Sequence, residues 1–131
     1  MLTRTLILSY RGADALNKTV DLQGGAELNL DELIPAGSNP LAIIFAMDVS
    51  QLKLLYLVSD KDITVKTNSN AVPVNTFTLA AGVPFVWGAG GAALRDTGGN
   101  LVNTDITSLQ VVNAGEDDAT LQVRSLYDPT A

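Results

Sequence analysis

Residues 52–70, LKLLYLVSDKDITVKTNSN, and 76–87, TFTLAAGVPFVW, decide the fold. Leu52, Leu54, Tyr56 and Val58 fall on one parity, Ile63 and Val65 repeat the pattern, and Phe77, Leu79, Val83, Phe85 and Trp87 carry it on. Apolar side chains at period two are the mark of strands with one face buried. The first run is ambiguous alone, because Leu52, Leu55 and Tyr56 also form a helical face that Asp48 or Ser50 can cap. The clean alternation of 62–67 settles it as strand. Ser59-Asp60-Lys61 then reads as a tight turn, so 51–67 is expected to be a hairpin.

The same pattern extends outward. Residues 106–127 read as a second hairpin, ITSLQVVN, a turn at 114–118, and ATLQVRSLYD. At the other end Leu2, Leu6, Leu8 and Tyr10 share a parity that Arg4 interrupts, Lys18–Leu22 forms a short run, and Leu28 and Leu30 mark a third. LDELIPAGSNP (30–40) predicts an irregular turn with one helical turn from Asp31, stopped by Pro35 and Gly37. Leu41–Met47 is apolar on both parities, with Ala42 and Ala46 on one side, which predicts a central strand. Pro84 predicts an edge strand or a strand start. The expected fold is all-β: a single antiparallel β-sandwich or jelly-roll-like domain over residues 1–131, with eight to ten short strands and a glycine-rich loop at 88–100, GAGGAALRDTGGN.

Composition narrows the function. A chain of 131 residues is long enough for one core without staples. It has no cysteine, hence no disulfide or thiolate metal site, and no histidine, the commonest general base and metal ligand. A net charge of −6 with scattered Lys and Arg argues against nucleic acid. MLTRTLILSYRG is too short in its apolar run for a signal peptide, and no segment approaches the roughly 20 apolar residues of a membrane helix.

Catalytic signatures are missing too: neither GxSxG nor SxxK occurs. The acidic residues Asp14, Asp60, Asp62, Glu116, Asp117 and Asp118 fall in turns, where carboxylates are usually solvated or bonded to their own backbone. Asp60 with Asp62, and Glu116-Asp117-Asp118, also have the hard oxygens calcium takes, but no EF-hand or RTX spacing. The loop at 88–100 lacks the GxxxxGK[ST] of a phosphate cradle. It is either a plain connection or an arm that orders on a neighbouring subunit. No enzyme, cofactor, metal or small-molecule substrate is expected. Trp87 either caps the core or offers a ring to a sugar or a partner. Where Val83–Trp87 runs into the glycine loop, Phe85, Trp87, Leu94 and Arg95 are the expected partner contacts.

LYLVSDKDITVKTNSN, FTLAAGVPFVW, DITSLQVVNAG and ATLQVRSLYDPT, spanning about Leu52–Trp87 and Asp105–Thr130, together resemble small β-sandwich virion proteins of tailed bacteriophages, of the head decoration or cement type. The resemblance implies a non-catalytic structural protein on the outer capsid surface. It would bind the major capsid protein between subunits, associate with itself as a homotrimer, and stabilise the head. No binding motif maps residue by residue. Two other expectations stand beside it: a neck, tail or fibre-base component of a virion, and a carbohydrate-binding β-sandwich using Trp87.

Overall fold

The computed structural model describes residues 1–88 and 104–130, and the expected contacts Leu94 and Arg95 lie outside them. Ten strands follow one another: β1 (Leu2–Arg11), β2 (Ala15–Gly24), β3 (Ala26–Ile34), β4 (Leu41–Met47), β5 (Leu52–Ser59), β6 (Ile63–Thr67), β7 (Thr76–Leu79), β8 (Phe85–Gly88), β9 (Ile106–Val112) and β10 (Ala119–Tyr127). β1 and β2 form a separate two-stranded hairpin. The other eight make two antiparallel four-stranded sheets, ordered β3-β10-β5-β8 and β4-β9-β6-β7.

The wiring is nested. β3 pairs with β10, β4 with β9, β5 with β8 and β6 with β7. Such a chain is a long antiparallel ribbon turned at 68–75. Winding that ribbon on itself adds the contacts β10–β5 and β9–β6 and, apart from the β6–β7 pair at its turn, sends successive strands of the sandwich to opposite sheets. This is the jelly-roll form of a β-sandwich.

Each strand turns one parity inward. Ile43, Phe45 and Met47 of β4, Ile63 and Val65 of β6, Phe77 and Leu79 of β7, Leu109 and Val111 of β9 and Leu121 and Val123 of β10 fill the space between the sheets. Phe77 and Phe85 bring their rings together across it, centroids 4.4 Å apart and planes tilted by 36°.

Four sequence expectations change. The 51–67 segment is not a hairpin, since β5 and β6 lie in different sheets, and 106–127 is not one either, since β9 and β10 are likewise divided. Both connections arch from sheet to sheet. An arch and a hairpin both turn one parity of each strand to the core, so alternation cannot separate them; in β5 that parity is Leu55 and Leu57, while Leu54 and Tyr56 of the expected row face the arm. β4 is an edge strand rather than a central one, with Ala42, Ile44 and Ala46 facing outward and exposed. The segment from Asp31 to Ile34 continues β3 and makes no helical turn, because its partner β10 holds it extended through Leu33–Thr120 and Ile34–Ala119. Pro84 does precede an edge strand, β8.

The turns after β3, β5, β7 and β9 gather at one end of the sandwich, and Asn113 ties two of them together. Its side-chain amide donates to Ile34 O (3.1 Å) and Asp117 O (2.9 Å), and its Oδ1 accepts from Gly115 N–H (3.1 Å). Its backbone exchanges hydrogen bonds with Gly37 and Ser38, both at 2.9 Å. At the other end Asn68 sits at φ 69°, a left-handed conformation that Asn tolerates. Its side chain donates to Asp105 O (2.9 Å) and accepts from Thr107 N–H (2.8 Å).

Candidate interaction surface

The β1–β2 hairpin is an arm laid on the outside of the first sheet. Along its proximal half Leu2, Leu6 and Leu22 meet Leu54, Val86 and Leu126, with Tyr56 beside them. These receiving residues come from three neighbouring strands, β10, β5 and β8, so the arm crosses the sheet rather than following one strand. Its root is tight. Gly25 N–H donates to Tyr127 O at 2.9 Å, and a Cβ placed on Gly24 would lie 2.8 Å from both Tyr127 O and Leu126 Cγ. Only a residue without Cβ allows this approach.

Arg4, the break in the apolar row, reaches Glu27 at the start of β3. Its guanidinium donates from Nε to Oε2 at 2.8 Å and from a terminal nitrogen to Oε1, a two-pronged ion pair. That contact holds the Glu27 carboxyl below its ordinary range and raises the Arg4 guanidinium. On the opposite face of the arm Thr5 donates to Asp21 and Ser9 to Asn17, each at 2.7 Å between directly paired residues. These cross-strand bonds latch the two strands.

Beyond Leu6 the described side chains of the arm are largely open to solvent. Ile7, Ser9, residues 11–17 and Thr19 are exposed, Ile7 at 69% and Leu16 at 55%. A strand of ten residues spans about 33 Å, and the described tip of the arm, residues 11–17, is exposed throughout. A lone two-stranded ribbon is only marginally stable in water. The arm is therefore built like an element that another surface completes. Sequence reading missed it because each strand was read singly. The signal lay in matching parities, Leu2 and Leu6 against Val20 and Leu22 across Gly12-Ala13-Asp14.

The expected contact residues fare differently. Phe85 is 6% exposed and belongs to the core, so its side chain offers no surface. The reason is its parity: Phe85 faces inward, and Val86 faces the arm. Trp87 is half-buried and packs against the core cluster.

The turn carboxylates serve the backbone. Asp60 accepts from Thr120 N–H, Asp62 from Ala81 N–H and Asp118 from Ala36 N–H, at 2.8, 2.8 and 2.9 Å. Asp48 and Asp128 are held below the ordinary carboxylate range by hydrogen bonds from Ser50 and Thr130, the side-chain hydroxyls first. Among the described residues no group of three or more His, Cys, Asp or Glu side chains is placed to share a metal ion. Among the described residues, the depression bordered by Lys61, Asp62, Asn113 and Glu116 is an open dent between turns.

Comparison with known protein families, curated proteins and solved structures finds no match. The surface itself is what bears on function, and its distinguishing element is the arm with its exposed tip.

Proposed function

We propose that this chain is a non-catalytic structural subunit of a virion, acting as a capsid decoration protein that binds many times over to a shell and to its own copies. The arm carries this reading. It is rooted by close packing at Gly24 and by the Arg4–Glu27 pair, yet its distal half presents Ile7 and Leu16 to solvent. A ribbon with a rigid root and an exposed tip suits a subunit that must reach a neighbour's surface. The jelly-roll sandwich supplies a scaffold whose turns are tied to one another, and the resemblance of 52–87 and 105–130 to phage head decoration proteins supplies the setting.

The test is the composition of purified particles. A copy number set by the symmetry of the shell supports decoration. About six to twelve copies would move the chain to a neck, tail or fibre base, and absence from particles would end the virion reading. The carbohydrate-binding alternative needs an open aromatic platform, and Trp87 turns toward the core. A glycan array with Trp87→Ala as control separates that case.

A further inference from the structure

An open sheet has two edges, and each edge strand presents unpaired backbone groups that invite another strand. Among the described residues this sandwich has four such edges: β3 and β8 on one sheet, β4 and β7 on the other. Three are guarded. β3 carries Glu27, Asp31 and Glu32, and β7 and β8 are only four residues long, β8 with Pro84 just before it. Charge, shortness and proline are the usual devices against edge-to-edge pairing. β4 differs in length and charge: Pro40 stands just before it, as Pro84 stands before β8, but the strand is longer than β7 or β8 and uncharged. Its seven residues, Leu41-Ala42-Ile43-Ile44-Phe45-Ala46-Met47, include no charge, proline or glycine. A bulge between Ile44 and Met47 is its one irregularity, and it leaves Leu41–Ile44 in regular register with β9. Ile44 is 92% exposed, the most exposed large apolar side chain within the sandwich.

We infer that the free edge of β4 is where two copies of this chain join, strand against antiparallel strand, about a two-fold axis. Charge selects the occupant. The chain carries 14 acidic residues and a net charge of −6, so two copies repel over most approaches. The sheet β4-β9-β6-β7 contains no carboxylate and a single charge, Lys66, whose ammonium donates to Asn70 Oδ1 at 3.1 Å. It is the one sheet two copies can share without facing their acidic groups. The strand is also complementary to itself. Antiparallel pairing in any register that keeps the faces aligned sets only Leu, Ala, Ile, Phe and Met opposite one another, with no like-charge pair. The two sheets then continue as one of eight strands, and the added strand covers one flank of Ile44. The inference stands apart from the virion reading, because it concerns the isolated chain. The union is two-fold, so the trimer that the resemblance implies would have to form elsewhere, and the arm is the element left for it.

The experiment is light scattering and sedimentation of the full chain over a range of concentrations, with hydrogen exchange of the β4 amides. The expected result is a discrete dimer with slow exchange at 41–47. Ile44→Lys, at a side chain already in solvent, leaves the unfolding midpoint nearly unchanged and weakens the dimer roughly a hundredfold. Leu33→Lys on the β3 edge leaves the dimer intact. A wild-type monomer at every concentration, aggregates without fixed stoichiometry, or an Ile44→Lys dimer of unchanged affinity overturns the inference.

Discussion

Gly24→Ala tests whether the arm is rooted as described. The added Cβ would meet Leu126 Cγ and Tyr127 O at 2.8 Å and Leu126 Cδ1 at 2.9 Å. Carbon contacts normally relax to about 3.5–4.0 Å, so the shortfall is more than half an ångström against three atoms. Neither neighbour can yield cheaply. Leu126 is buried beneath the arm, and Tyr127 O is fixed by the Gly25 hydrogen bond. Overpacking of this kind costs about 1–3 kcal/mol. Replacing glycine by alanine returns about 0.4–1 kcal/mol through the unfolded chain. The balance is a loss of about 1–2 kcal/mol, or roughly 3–6 °C in the melting midpoint for a domain of this size. Urea unfolding followed by Trp87 fluorescence measures the global effect. Amide exchange measures where it falls, with residues 2–6 and 20–24 expected to open first. A variant as stable as the wild type, with the arm equally protected, would refute the close approach.

Asn113→Asp removes both donors to Ile34 O and Asp117 O and points a carboxylate at two carbonyls, while Gly115 keeps its acceptor. A destabilisation of about 2–4 kcal/mol is expected by denaturant titration. Asn68→Ala loses the bonds to Asp105 and Thr107 and places a Cβ residue with less tolerance at φ 69°, so it should cost about 2–3 kcal/mol, whereas Asn68→Gly keeps the conformation and should cost about half as much. The arm should also be acid-sensitive. Glu27 is held low by Arg4, so its contribution is complete above the unfolded carboxylate value, near 4.3, and is lost as pH falls through the lower folded value. Arm amide resonances should shift toward random-coil positions over that window, and an identical acid profile in Glu27→Gln would count against the pair.

Strand positions were legible because alternation reports which side chains leave water, and water treats every half-buried strand alike. The partner of each strand was not legible for the same reason. Ile63 and Val65 turn inward whether β6 lies beside β5 or across from it, and the short Ser59–Lys61 turn accommodates either path. β4 looked central because apolar residues on both parities usually mean two covered faces. Here Ile44 is apolar and uncovered. The contact expected at Phe85 failed through parity. A strand that carries Phe85, Val86 and Trp87 in sequence must bury two of the three on one side, and the core holds Phe85 and the inner part of Trp87. The arm needed pairing information as well as pattern, because Leu2, Leu6 and Leu22 acquire meaning only once β1 and β2 are set against each other.

Nested pairing also governs when this protein can become itself. β10 stands between β3 and β5, so residues near the beginning of the sandwich wait for a strand almost 90 residues later before they have a neighbour. Until β10 is available the first sheet holds only the β5–β8 pair, β3 has no neighbour, and the patch that receives the arm lacks Leu126. A chain emerging from the ribosome can close the β1–β2 arm, then β6 with β7 and β5 with β8, and then seat β9 on β4 and β6, but β3 stays unpaired until the last strand arrives. Folding dominated by distant pairs is slow, and during that delay the uncharged β4 is open to any strand nearby. In the cell, the same wiring that makes a tightly tied finished subunit makes its synthesis the moment of greatest exposure.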